Sequence, residues 1–411
     1  MTHADAPSND ALHAAFGQDL ATDWVPDAVG AVDVWPSPVG GGPVALDVSR
    51  LRVPLGGRTE DVPVVPVTTR AHLHLLTERA LCRHRVRPEV LAYDRVDWDY
   101  RRAFRTRQRR LRELAARADL PLVLVLDVHG LSRSLPLRTL SEAPWATAEL
   151  AAALAALDRA AGRVLLPGHR WANRLAAAAL GPVDTVVARL APGRWLRWGD
   201  DWHVFVRTPA EAAEVREAVR GALAPLGLAP SVRKTRTLPV SALLDGAARG
   251  TAGDPADAWR LGLERGDVRA LRYALPRAAP TPEISRGVPC AVRQWPELLP
   301  RAVEYLGRAV DAAQGRAAVR VLTADAHADP FACGRLLALA AARREVAADV
   351  PDAVLTLAYA DESVALRALA ARVAALTDRL RLTPDPPPRL GRWLALGAEP
   401  ACWPPRLTTL L

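Results

Sequence analysis

The sequence predicts an α+β fold, a small sheet packed with helices, followed by an all-α C-terminal domain. Three observations lead to this expectation. Pro121 to Leu126 is a continuous apolar run of strand length, as a buried central strand requires. Residues 194–206 hold two runs rich in aromatic and β-branched residues that meet at a tight turn carrying Asp200-Asp201, the pattern of a hairpin. Residues 293–381 are rich in Ala, Leu and Val and read as helical throughout.

Residues 1–65 are rich in Pro, Gly, Asp and Val, which predicts an irregular N-terminal arm with short strands. Over 66–120 the pattern becomes helical and strongly basic. Arg101, Arg102, Arg105, Arg107, Arg109 and Arg110 lie close together, interleaved with Trp98, Tyr100 and Phe104. Aromatics among arginines suit a surface that meets phosphates and bases. A solvated helix face with its aromatics turned to the core would read the same way.

The stretch 121–245 carries the clearest punctuation. After the apolar strand, a helix is expected from about Ala146 to Ala161, then a turn at Pro167-Gly168 and an Ala-rich helix from Trp171 to Leu180. Beyond the hairpin, Thr208-Pro209-Ala210-Glu211 joins a capping-box Thr and Glu to a proline at the first helical position. Leu226-Gly227-Leu228 closes that helix, glycine being the residue that tolerates a left-handed cap. The order strand, helix, helix, hairpin, helix, strand predicts helices on one face of a small sheet.

Residues 246–290, rich in Gly, Pro, Ala and Asp, read as a linker. Residues 291–411 then form a helical-repeat domain. Val321-Leu322-Thr323 recurs as Val354-Leu355-Thr356, Ala328-Asp329 as Ala360-Asp361, and Arg335-Leu336 is echoed by Arg367-Ala368. Offsets of 32 to 33 residues suit stacked helix pairs.

Composition narrows the function. The chain has 411 residues, half of them hydrophobic, so it can bury a large core. A net charge of +9 and a pI near 10.2 favour a polyanionic partner such as nucleic acid. Cys82, Cys290, Cys333 and Cys402 are scattered without C-x-x-C spacing, which argues against a zinc site or disulfide framework and fits a reducing, cytoplasmic setting. Residues 1–30 show no signal-peptide pattern, and no uncharged apolar run is long enough to span a membrane.

The candidate chemistry lies in carboxylates. Asp127 ends the apolar strand, and Asp200-Asp201 occupies the hairpin turn. Carboxylates from two adjacent strands make an oxygen cradle for hard divalent cations, Mg²⁺ or Mn²⁺. Nucleotidyl transfer uses two such ions about 3.5–4 Å apart. Lys234 is the only lysine among 54 Lys and Arg residues. Its ammonium can release a proton at an accessible pKa, which a guanidinium cannot.

In that order and spacing the residues resemble a reverse-transcriptase palm. Asp127 matches motif A, Asp200-Asp201 motif C, and Leu226-Gly227-Leu228 with Lys234-Thr235 motif D. Leu166-Pro167-Gly168 followed by Trp171-Ala172-Asn173 is similar to a shortened motif B. The resemblance covers roughly 120–240 and implies a polymerase-type palm, with the basic 66–120 region as its fingers. It implies Asp127, Asp200 and Asp201 as metal ligands, Lys234 beside the triphosphate, and dNTPs with DNA or RNA as substrates. Ser132, Gly168, His169 and Arg170 would line the nucleotide site, with His129 nearby. Ser132 stands where the family usually has an aromatic that excludes a ribose 2′-hydroxyl, and motif B lacks its glutamine. A palm followed by helical repeats is most like bacterial abortive-infection and unknown-group reverse transcriptases. That likeness implies DNA synthesis, sometimes without a conventional template, in antiviral defence. Some of those relatives assemble as homo-oligomers or act with a non-coding RNA. Two other readings stay open: a degenerate palm that binds nucleic acid or a protein, and a Gly-Asp-Asp type RNA polymerase, favoured by Gly199 and Ser132.

Overall fold

The structure, a computed structural model, describes residues 48–55, 58–65, 67–94, 99–243, 254–326, 329–361 and 363–383. It is a mixed α/β chain whose described residues divide into two compact units, one within 69–243 and the other within 49–68 and 254–383.

In the first unit, helix α1 (Val67–Leu81) and helix α2 (Tyr100–Ala115) precede strand β3 (Leu122–Asp127). Two short helices follow, α3 (Leu131–Ser134) and α4 (Leu137–Ser141), then α5 (Ala148–Ala161), α6 (Arg170–Ala179) and α7 (Gly181–Leu190). The hairpin β4 (Trp195–Trp198) and β5 (Asp201–Val206), helix α8 (Pro209–Leu223) and strand β6 (Arg236–Pro239) complete it. The four strands form one antiparallel sheet in the order β4-β5-β3-β6. The apolar run is therefore an interior strand, as its composition requires.

Register decides which residues share a face. Asp127 pairs with Asp201, Val125 with His203 and Val123 with Phe205. Side chains alternate along a strand and directly opposed residues point the same way. Val123, Val125, Asp127, Asp201, His203 and Phe205 thus share one face, and Leu126, Trp202 and Val204 share the other. On the first face, Leu111 and Leu114 of α2 pack in one buried cluster with Val123, Leu196 and Phe205. On the second, Asp184 of α7 bonds to Arg197 and Trp202. Helices therefore cover both faces, where the sequence predicts one. The covering of the first face comes from α2, whose apolar stripe is interrupted by so many arginines that the pattern reads as solvent-facing.

Local signals hold where they are strongest. Thr147 caps α5 by accepting from the Leu150 N–H, and Thr208 caps α8 by accepting from the Glu211 N–H. Glu211 turns back to accept from the Arg207 N–H at 2.7 Å and also pairs with Arg194. Gly227 has φ +71°, and a Cβ there would lie 2.6 Å from Pro136 Cγ, so both conformation and space demand glycine.

In the second unit, the hairpin β1 (Ser49–Leu55) and β2 (Arg58–Val64) joins nine helices among the described residues. They are α9 (Pro255–Arg265), α10 (Val268–Ala274), α11 (Pro282–Gln294), α12 (Leu299–Ala309), α13 (Ala313–Asp325), α14 (Pro330–Ala342), α15 (Arg344–Ala347), α16 (Asp352–Ala360) and α17 (Val364–Leu376). One core runs from Leu51, Val53 and Val62 through Trp259, Tyr305 and Leu337 to Val373.

Two boundaries change. The strands expected in an N-terminal arm are part of this helical unit, because Leu51, Val53 and Val62 bury their side chains in its core; residues 1–47 lie outside the described set. The expected linker 246–290 is helical from Pro255 onward. Its prolines 255 and 282 occupy first helical turns after the caps Asp254 and Thr281, and Gly266 ends α9 at φ +63°. The punctuation of helices thus reads as a loop. Val321-Leu322-Thr323 and Val354-Leu355-Thr356 fall on α13 and α16, Arg335-Leu336 and Arg367-Ala368 lie within α14 and α17, Asp329 caps α14, and Ala328 lies outside the described residues.

Candidate metal centre

Three elements bring carboxylates together. β3 delivers Asp127 at its last residue, directly across from Asp201 at the first residue of β5. Gly199, at φ +64°, takes the first position of the two-residue turn, where a type II′ hairpin needs glycine, and Asp200 takes the second. One carboxylate oxygen from each of Asp127, Asp200 and Asp201 lies within 4.8 Å of the others.

A fourth group arrives from the segment after α8. Ala229 accepts a hydrogen bond from the His129 N–H at 2.9 Å, and the Ser231 N–H donates to the Asp127 carbonyl at 2.7 Å. These bonds lay the segment along the end of β3. A turn at Ser231 then projects Lys234, whose Nζ donates to Asp127 Oδ2 at 2.8 Å. The Asp127 side chain is 5% exposed and that of Lys234 59%, so the ammonium reaches in from solvent over a buried carboxylate.

Negative charge exceeds what this one cation offsets. Burial raises the Asp201 carboxyl to about 7, assisted by a hydrogen bond shared with Asp127 and by the Asp200 charge. Burial also raises Asp200, with the Asp127 charge adding to it. The bond to Asp127 raises Lys234 and keeps it charged. A crowded set of carboxylates that would rather hold a proton is a set that a divalent cation stabilises. All the donors are carboxylate oxygens, which suit Mg²⁺ or Mn²⁺ over a softer metal.

Behind the turn lies a fully satisfied network. Arg197 Nε and Nη2 donate to the two oxygens of Asp184 at 2.8 and 2.7 Å. The Trp202 indole donates to Asp184 at 2.9 Å, Arg197 Nη2 to the Ala177 carbonyl at 2.9 Å, and Arg197 Nη1 to the Gly199 carbonyl at 2.7 Å. One buried arginine thus fixes the carbonyl of the residue that precedes Asp200. Sequence reading missed Asp184 and Arg197, because the partners sit on different elements and neither type announces burial.

Beside the centre, Tyr100 and Phe104 stack at 5.8 Å between ring centroids, and both meet the Trp198 ring edge-on. Arg107 lies over Trp198 at 5.7 Å. Burial lowers the Arg107 pKa while the Asp201 charge opposes the shift, which places this guanidinium in the field of the carboxylates. On the same face, burial holds His203 at about 4, with Arg107 adding to the effect, so its imidazole is neutral. Neither Arg107 nor His203 stands out in the sequence as a site residue.

The other expected residues sit at the end of β3, on α3, and just before or at the start of α6. Ser132 sits on α3, Gly168 is an exposed turn residue at φ +83°, and Arg170 begins α6 and is buried. His169 precedes α6, is buried and stacks on Trp171 at 6.2 Å. His129 is exposed at the end of β3, and Trp98 falls outside the described residues. No protein-family model matches this sequence, and no curated protein matches it.

Proposed function

We propose that the chain is a metal-dependent nucleotidyltransferase that polymerises nucleotides on a palm-like sheet. The observation behind this reading is the meeting of Asp127, Asp200 and Asp201 within 4.8 Å at one sheet end, with Lys234 on Asp127. Asp127, Asp200 and Asp201 would hold Mg²⁺ or Mn²⁺. Bound there, the ions would lower the charge cost of an attacking hydroxyl and a leaving pyrophosphate. The chain's own residues supply the rest. Arg197 holds the turn that positions Asp200, and Lys234 is the cation available to a phosphate once it leaves Asp127. Its ammonium can also hand over a proton, which an arginine there could not.

Nucleic acid is the partner that the surface charge favours. On α2, Arg102, Arg105, Arg109 and Arg112 are all exposed, and their spacing places them along one stripe of the helix. Such a stripe matches a phosphate backbone. Among the described residues no helix is long and apolar enough to cross a membrane. Antiviral defence is the biological setting that the resemblance suggests, with the second, helical unit as the surface for a partner.

A second reading draws support from the Lys234–Asp127 ion pair itself. An ammonium can stand where a metal would, leaving a silent palm that works by binding. Labelled dNTPs and NTPs, offered to the full chain with Mg²⁺ or Mn²⁺ and with or without template, separate the two. Incorporation that disappears in Asp127→Ala and Asp200→Ala supports the enzyme and reveals its sugar preference. A folded wild type that incorporates neither sugar refutes it and favours the silent palm.

A further inference from the structure

The first unit contains a cavity of about 750 Å³ away from the metal centre, whose lining includes His84, Arg85, Arg87, Arg138, Trp145 and Asp184. It is walled by the loop after α1, by α4 and the turn that follows it, and by the start of α7. None of the carboxylates of the metal centre lines it.

Its chemistry is asymmetric. His84 and Trp145 meet edge to face with ring centroids 6.3 Å apart, giving an aromatic corner. Arg85, Arg87 and Arg138 are exposed and their guanidinium groups make no ion pair or side-chain hydrogen bond among the described residues, although the Arg87 charge acts on Asp184 across the cavity. Opposing them are Glu142 and Asp184, and the latter is already held by both arms of Arg197. Positive charge therefore prevails in the cavity. Exposed arginines around a concave site recognise phosphate, and an aromatic corner takes a planar ring. The volume falls within the range of small-molecule sites and suits one nucleotide-sized ligand.

We propose that this cavity binds a free nucleoside phosphate, its base against His84 and Trp145 and its phosphates on Arg85, Arg87 and Arg138. The site is distinct from the carboxylate centre and does not depend on it. Asp184 nevertheless belongs to both structures, since it lines the cavity and anchors the arginine that holds the Gly199 carbonyl.

Equilibrium dialysis of the full chain with labelled ATP and GTP, in EDTA so that the carboxylates hold no cation, tests this. Saturable binding is expected, with adenosine and inorganic tripolyphosphate each at least about ten-fold weaker competitors than the nucleotide. The double variant Arg85→Ala, Arg138→Ala should weaken binding at least ten-fold, and Trp145→Leu should weaken it too, with thermal unfolding showing both to be folded. Asp200→Ala should bind as the wild type does, which keeps this result separate from any result on nucleotide incorporation. No saturable binding up to about 1 mM would overturn the proposal. So would binding that survives the arginine variant, or that is lost in Asp200→Ala.

Discussion

Two carboxylate sites lie on opposite faces of one four-stranded sheet, and although burial raises the carboxyl pKa at both, they are partnered in opposite ways. Asp184 is matched bond for bond: Arg197 grips both of its oxygens and the Trp202 indole adds a third donor. Asp127, Asp200 and Asp201 crowd three carboxylates against one exposed lysine, and burial with mutual repulsion raises two of them. A satisfied buried ion pair is scaffold, and taking one partner away leaves a costly bare charge. An unsatisfied cluster stores unfavourable charge that a ligand can relieve. Under the proposed function, the contrast makes Arg197 and Asp184 positioning residues and the three aspartates the metal ligands.

Substitutions should break the two clusters in different ways. In the carboxylate centre, Asp127→Ala or Asp200→Ala should reduce incorporation at least about 10³-fold, since groups that act together lose most of their effect when one is removed. Steady-state incorporation assays measure this. Neither change should destabilise the metal-free fold, and Asp200→Asn should raise its melting temperature by relieving repulsion. Across the sheet, Asp184→Ala should lower stability by about 3–5 kcal/mol, because Arg197 stays buried without its partner. Urea unfolding gives that number. An Asp184→Ala protein as stable as wild type would dissolve the distinction.

Smaller effects sharpen it. Gly227→Ala should cost about 1 kcal/mol or more, since φ is +71° and the added Cβ meets Pro136; chemical denaturation again reports it. The pH response has a definite sign. The folded-state pKa of Asp201, about 7, lies above its ordinary 3.8, so the native state holds the extra proton between those values. The metal-free protein should therefore lose stability as pH rises through that window. Mn²⁺ competes with the same proton, so the rise in melting temperature that it produces should grow with pH and level off above about 7.

Much of the centre was legible because its signals are local. An apolar run that ends in Asp127, two strand-like runs that meet about Asp200-Asp201, and a capped helix closed by Gly227 each state their geometry within a few residues. What stayed hidden depends on distant partners. Asp184 meets Arg197 only after α7 packs behind the hairpin, and Glu78 meets Arg174 at 2.9 Å only when α1 lies beside α6. Arg107 reads as one basic residue among many until Trp198 covers it. In the second unit the difficulty is different. Pro255, Gly262 and Gly266 suggest a loop by composition, yet Gly262 is the site where a Cβ would lie 2.8 Å from Leu271, so it is packing that asks for glycine. Residues 49–64 read as an arm because the helices that bury Leu51 and Val62 come some two hundred residues later.

The most direct test of the central claim is a Mn²⁺ titration of the full chain near pH 8, followed by the loss of the free-ion electron paramagnetic resonance signal. Saturable binding by the wild type that is lost in Asp200→Asn, whose fold is retained, is the predicted result. Wild-type protein that leaves Mn²⁺ free, or binding that Asp127→Ala and Asp200→Asn leave unchanged, would contradict it and make the carboxylate cluster no metal centre.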